Sequence, residues 1–293
     1  MEWTPGGSRE DIEDRRDEGG GGGGGGFGLG GGGGFGGVHL GLGGTIVVLL
    51  LSMFFRTDLF QFFSGTPSSD PSRVSQPDTA RDSREEPEVD FVTFVLNDVQ
   101  KNWDTVLPSQ ARVPYRHSKL VLFRNQTRSA CGTAETAIGP FYCPGDQKVY
   151  LDLGFFDELA RRFGAPGQFA QAYVIAHEIG HHVQRLLGIE AKVRQMQEAN
   201  PRAENQLSVQ LELQADCLAG VWGNSTEQRK IVDNADVESG MSAAASVGDD
   251  RLQKAAQGYV SPEKFTHGSS AQRTAAFKKG LDTGQLSACG ATR

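Results

Sequence analysis

The stretch AYVIAHEIGHHVQRLLG, residues 172–188, decides the reading of this chain. It carries H-E-x-x-H at His177, Glu178 and His181. In an α-helix, residues i and i+4 differ by about 40° around the axis and about 6 Å along it, so two imidazoles at that spacing can reach one ion. Glu178 projects from the same region without having to be a ligand. The flanking Tyr173, Val174, Ile175, Ala176, Ile179, Val183, Leu186 and Leu187 are apolar enough to bury the helix. The histidines then stand in a hydrophobic wall, whereas an accidental match would sit on a solvated face. Gly180, inside the helix, costs about 1 kcal/mol relative to alanine. A close approach by a second helix or by a substrate would account for it.

A second signal lies downstream in LELQADCLAGVW, residues 211–222, where Glu212 and Asp216 share the same i, i+4 spacing. Carboxylates inside apolar patterning are costly unless they are paired or bind a cation. Glu212 is the candidate third ligand. Asp216 is the candidate partner for the second ring nitrogen of a histidine ligand. Zinc held by two histidines, one carboxylate and a water is a known catalytic arrangement, in which the ion lowers the water's pKa to about 7 and polarises a carbonyl. Glu178 would take the water's proton and pass it to the leaving amine. The extended pattern with a late third histidine is absent, because its glycine place holds Gln184 and its histidine place Leu187. His182 is turned about 100° from His181 and reads as a packing or supporting residue. His267, in THGSSAQR (266–273), precedes a predicted helix. It either donates to a developing oxyanion or caps and packs, and both readings stay open.

The rest of the chain supplies the frame. Of 293 residues, those from Asp90 onward are about 200, enough for one sizeable core. KLVLF (119–123) and KVYLDL (148–153) read as strands, and FFDELARRF (155–163) as a helix. FVTFVLNDVQKNWDTVL has helical spacing and ends at Pro108; Gln168–Leu187 and Ala203–Trp222 are long helices, the second closing at Gly223. The expected fold class is α+β, helix-dominated with a small sheet. Residues 1–37 read as a charged, glycine-rich disordered tail, with 1–18 solvated. VHLGLGGTIVVLLLSMFF (38–55) is long enough at the lower limit for a membrane span, and 38–63 is read as an anchor. Residues 64–89 read as a flexible linker. Arg9, Arg15 and Arg16 before the apolar run, against Arg56 after it, favour a cytoplasmic N-terminus and an extracytoplasmic domain. Four cysteines beyond the run suit that topology, and Cys131 with Cys143 is the first pair to consider among three possible connectivities. The net charge of −7 argues against a nucleic-acid partner.

On these residues the chain resembles the bacterial neutral zinc metallopeptidases, membrane-anchored proteins with a zincin-like domain. The resemblance covers nearly the whole chain and rests on GPFYCPGDQKVYLDL (139–153), RRFGAPGQFAQAYVIAHEIGHHVQ (161–184), LELQADCLAGVW and THGSSAQR. The Glu-x-x-x-Asp arrangement is also similar to that of thermolysin-like and integral-membrane zinc proteases. It implies Zn2+ at His177, His181 and Glu212, Asp216 in support, and peptide or protein substrates. The leading expectation is therefore an endopeptidase, with a non-catalytic binding or regulatory module of the same fold as the alternative. An intact Glu178 favours the enzyme.

Overall fold

The computed structural model describes residues 1–18 and 79–291. In chain order the elements are β1 (Ile12–Asp14), α1 (Thr79–Ala111), β2 (Lys119–Phe123), β3 (Gln126–Ser129), β4 (Gly132–Glu135), β5 (Phe141–Cys143), β6 (Lys148–Asp152), α2 (Gly154–Arg161), α3 (Gln168–Leu187), α4 (Ile189–Ala199), α5 (Glu204–Gln228), α6 (Asn234–Ser246), α7 (Asp249–Gln257) and α8 (Ser270–Thr283). This is the expected helix-dominated α+β arrangement. The sheet runs β1-β2-β6-β5. β1, β2 and β6 are parallel, and β5 is an antiparallel edge strand.

The central strands β2 and β6 are covered on both faces and are mostly apolar, whereas the outer β1 is charged. Leu120, Leu122, Val149 and Leu151 face the main core with α1 and α3, while Val121, Phe123 and Tyr150 alternate to the other face with Cys143 and Ala134. α1 contributes Val89, Val92, Leu96, Val99, Trp103 and Leu107, all buried at three- and four-residue spacing. Two disulfides close the fold. Cys131–Cys143 fastens the tip of the β3–β4 hairpin to β5, as expected, and Cys217–Cys289 ties the C-terminal turn to α5. By loop closure alone these contribute roughly 3 and roughly 4 kcal/mol.

Two expectations are corrected. Residues 1–18 are not a solvated tail. Ile12–Asp14 form the outer parallel strand on β2, and Trp3 packs on Phe91 and Phe94. α1 starts at Thr79, so residues 79–89 of the expected linker are helical, and it runs past Pro108. The same ion pairs explain both differences. Arg16, whose side chain is 4% exposed, bonds Asp14 at 2.6 Å, Glu86 at 2.9 Å and Glu85 at 3.2 Å. Arg9 reaches Glu86 and Asp90, and Arg124 reaches Glu85. The charge-rich segments that look solvated in isolation neutralise each other. β1 holds residues 1–18 against the domain. The arginines that suggested a cytoplasmic end are largely engaged in these pairs. The expected anchor, 38–63, lies outside the described residues. Among the described residues no helix is long and apolar enough to cross a membrane.

His117 links the N-terminal segment to the domain. Its Nδ1 lies 2.7 Å from Asp11 and its Nε2 3.1 Å from Asp104. Lys119 and Gln100 also bond Asp11. Partial burial pushes the His117 pKa down, but the two carboxylates outweigh it and raise it above 6.5. A raised histidine stabilises fully below its unfolded pKa and loses that contribution as pH rises through the folded value. Amide protection at Leu120, which donates to Asp11 O at 2.8 Å, should therefore fall across neutral pH. The fall should vanish in His117→Gln; an identical fall in that variant would assign it to another group.

Candidate metal centre

The site is made by a helix crossing. A Cβ on Gly180 would lie 3.0 Å from the Ala215 carbonyl oxygen and 3.2 Å from its Cα, so α3 and α5 touch backbone to backbone there. His177 and His181 stand three residues before and one after Gly180. Glu212 and Asp216 stand at the same offsets from Ala215. The contact point thus sets two imidazoles against two carboxylates. Gly180 is the close approach that its helical position suggested.

His177 Nε2 lies 3.3 Å from Glu212 Oε2, and His181 Nε2 lies 3.5 Å from Glu212 Oε1. One ligand atom from each residue falls within 4.8 Å of the others, in the one such group of three found among the described residues. Tetrahedral ligands about 2.0–2.1 Å from zinc stand roughly 3.3 Å apart, so the donor set and its spacing fit that ion.

The ring orientations fit it too. His177 Nδ1 donates to Asp216 Oδ1 at 2.8 Å. His181 Nδ1 donates to Gln184 Oε1 at 2.9 Å. The Gln184 amide is fixed the right way round because its Nε2 donates to Leu211 O at 2.7 Å and Gln214 Oε1 at 3.0 Å. With both Nδ1 atoms spent as donors, both Nε2 atoms are left as acceptors facing Glu212.

The electrostatics ask for a cation. Burial pushes His177 down, but Asp216 and Glu212 raise it to about 10. Burial raises Glu212, yet His181, His267 and His177 bring it well below the ordinary carboxylate value. His181 is lowered, by burial first. Burial also lifts Glu178 to about 7, against the pull of His177. Glu178 accepts from the Tyr142 backbone N–H, which places it against the edge strand β5.

His267 stands beside this cluster. Burial lowers its pKa, and Glu212 with Asp249 raises it further, to a net increase. Its loop is organised by Asp249, whose Oδ2 accepts from the backbone N–H groups of Thr266, His267 and Gly268 at 2.7, 2.7 and 3.1 Å. His267 Nδ1 lies 2.9 Å from Thr266 Oγ1 and 3.3 Å from Asp249 Oδ1. His182, by contrast, is buried support. Its Nε2 meets Arg116 O at 2.6 Å, its Nδ1 meets Tyr142 Oη at 3.0 Å, and burial lowers it to about 4.

The structure brings His177, His181 and Glu212 together with Asp216 behind His177, and it sets Glu178 and His267 within electrostatic reach of Glu212; the sequence reading misses Gln184, Asp249 and Arg273. Gln184 is visible at i+3 from His181, a facing position on a helix, although the sequence pattern presents it only as the replacement for a glycine. Asp249 and Arg273 carry no local pattern that points to the site. Tyr173, read as core, is buried but also donates its hydroxyl to Asp216.

Fold and site together define a helix-borne two-histidine, one-glutamate centre with a buried glutamate next to the first histidine. The chain belongs to the family described as "Putative neutral zinc metallopeptidase", whose profile matches residues 1–292. It is 42% identical over 294 residues to "Uncharacterized protein YpfJ" of Escherichia coli K12, covering 99% of this chain and 98% of that one. It is 40% identical over 204 residues to "Uncharacterized protein Rv2575" of Mycobacterium tuberculosis H37Rv, covering 66% of this chain and 67% of that one. No solved structure matches it significantly.

Four substitutions sort the ligand set. Glu212→Ala should largely abolish zinc binding, and Asp216→Ala should weaken it by roughly 10- to 100-fold. Gln184→Leu should weaken it similarly, while Gln184→Glu, which keeps an acceptor for His181 but adds a buried negative charge, should recover only part of it. Calorimetric titration with zinc measures all four. Parent-like binding by Glu212→Ala would place the third ligand elsewhere.

Proposed function

We propose that this chain is a zinc-dependent endopeptidase. The observation that carries the reading is the convergence of His177 Nε2, His181 Nε2 and a Glu212 carboxylate oxygen on one point, with Glu178 buried alongside. Zinc held there would supply a Lewis acid for the scissile carbonyl and a lowered pKa for the attacking water.

The chain's own residues do the rest. Glu178 accepts the proton of the water that attacks the carbonyl carbon. It then delivers that proton to the amide nitrogen as the C–N bond breaks, leaving a carboxylic acid and an amine. A pKa near 7 suits a group that must accept and then release a proton at neutral pH. His267 donates from its Nε2 to the oxygen that gains charge, with Asp249 holding its loop. Asp216 and Gln184 keep the two ligand rings in place.

β5, the edge strand of the sheet, is where an extended peptide would lie. Its Tyr142 N–H already points to Glu178, so backbone pairing along this edge would bring a peptide bond to the glutamate. Peptide and protein substrates fit such an edge. The two disulfides favour an oxidising compartment for the domain, with the apolar stretch 38–55 as its membrane attachment and residues 1–18 on the same side as the domain. The alternative, a non-catalytic module, has no observation in its favour while Glu178 and all three donors are intact.

The test is Glu178→Gln in the full chain, assayed against a peptide library with bound zinc measured in parallel. Zinc content should remain and hydrolysis should fall by at least about 100-fold, the lower end for general-base catalysis. Undiminished hydrolysis, or a parent that binds zinc and cleaves nothing across the library, would refute the assignment.

A further inference from the structure

Arg273 is 5% exposed at its side chain and grips a carboxylate that has no exposed surface. Its Nε donates to Asp216 Oδ2 and its Nη2 to Asp216 Oδ1, both at 2.9 Å. This is the two-point fork that a guanidinium makes with a carboxylate and an ammonium cannot. Asp216 Oδ1 also accepts from His177 Nδ1 and from the Tyr173 hydroxyl. A carboxylate offers about four acceptor sites, and four donor bonds converge on this one.

Arg273 does not reach His177 directly in any useful way. Its Nη2 is 3.4 Å from His177 Nδ1, but both atoms are donors when Nδ1 carries its proton. They meet only through Asp216. The placement is also built in from the backbone. A Cβ on Gly220 would lie 2.0 Å from Phe277 O, and one on Gly280 would lie 1.9 Å from Cys217 O. Only glycine allows α5 and α8 to cross this closely, and the crossing presents Arg273, on the second turn of α8, to Asp216.

We propose that Arg273 is a positioning residue of the metal centre. It locks the Asp216 carboxylate against rotation, which commits His177 Nδ1 to donating and His177 Nε2 to the ion. The inference rests on the reading that His177, His181 and Glu212 hold zinc. A merely structural arginine, clamping α8 to α5 and to Val247 O at 3.4 Å, would affect folding stability and leave the affinity and geometry of the folded centre untouched.

The experiment compares the full-length parent with Arg273→Leu, Arg273→Lys, Asp216→Asn and the double variant Asp216→Asn/Arg273→Leu. The double variant removes both buried charges together, so it keeps the question open if Arg273→Leu fails to fold. Zinc affinity is read by competition with a chromophoric chelator, and ligand geometry by the visible spectrum of the Co2+-loaded protein. Arg273→Leu should bind zinc roughly 10- to 100-fold more weakly, the usual range for a lost supporting contact, with an altered Co2+ spectrum. Arg273→Lys should recover only part of the affinity. The double variant should bind no more weakly than Asp216→Asn alone, because the arginine acts through the aspartate. Parent-like affinity and spectrum in folded Arg273→Leu would overturn the proposal, and so would an additive loss in the double variant. A parent that binds no zinc would instead overturn the metal assignment beneath it.

Discussion

Asp216 is fully buried, and helices that are far apart in sequence must meet correctly to pair it. It sits on α5 and takes its partners from α3, through Tyr173 and His177, and from α8, through Arg273. An isolated buried carboxylate is too costly to tolerate, so the three helices assemble as a unit or not at all. Backbone contacts enforce the same arrangement. Gly180 against Ala215 sets the α3–α5 crossing, and Gly220 against Gly280 sets the α5–α8 crossing. Each glycine gives up helix propensity worth about 1 kcal/mol. What the fold gains is a fixed rotation of each helix, which alone decides which side chains face the centre.

The sequence reveals a ligand set more readily than what holds it. His177, Glu178, His181, Glu212 and Asp216 were legible because helical periodicity turns a spacing of four into a shared face, and because carboxylates in an apolar run need an explanation. Gln168–Leu187 was bounded correctly because Gly188 takes a left-handed conformation at its end. The same glycine rule failed at Gly223, where α5 continues to Gln228. There a Cβ would come within 3.0 Å of Leu281 Cδ1, so that glycine marks a close neighbour and not a stop. Arg273 and Asp249 act through partners that tertiary structure supplies, and no local pattern announces such partners, whereas Gln184 is a facing neighbour of His181 on one helix.

The N-terminal segment shows the same limit. Composition alone assigns EDIEDRRDE to solvent and RDSREEPEVD to a linker. Each is unfavourable alone because like charges crowd together. Joined, they place Arg9 and Arg16 against Glu85, Glu86 and Asp90. Arg16 is nearly buried among acceptors, where ion pairs resist solvent more than surface pairs do. This network extends α1 by a full eleven residues ahead of Asp90 and adds an outer strand to the sheet. It lies on β2, at the opposite edge of the sheet from β5 and Glu178.

The two histidines receive unequal support, and formal charge explains why. His181 leans on a neutral amide, Gln184, while His177 leans on a carboxylate tied to a guanidinium. Around the centre Glu212 and Asp216 bring two negative charges, Glu178, raised to about 7, brings part of a third, and Arg273 returns one positive charge. The balance is negative, which a bound divalent cation would offset. A second aspartate in place of Gln184 would leave an excess negative charge in a nearly dry site, where the burial cost of charge is highest. Without Arg273 the same excess would arise at Asp216. The amide beside one ligand and the arginine behind the other are two solutions to a single constraint: both imidazoles need an acceptor, but the centre can carry only as much negative charge as its ion neutralises.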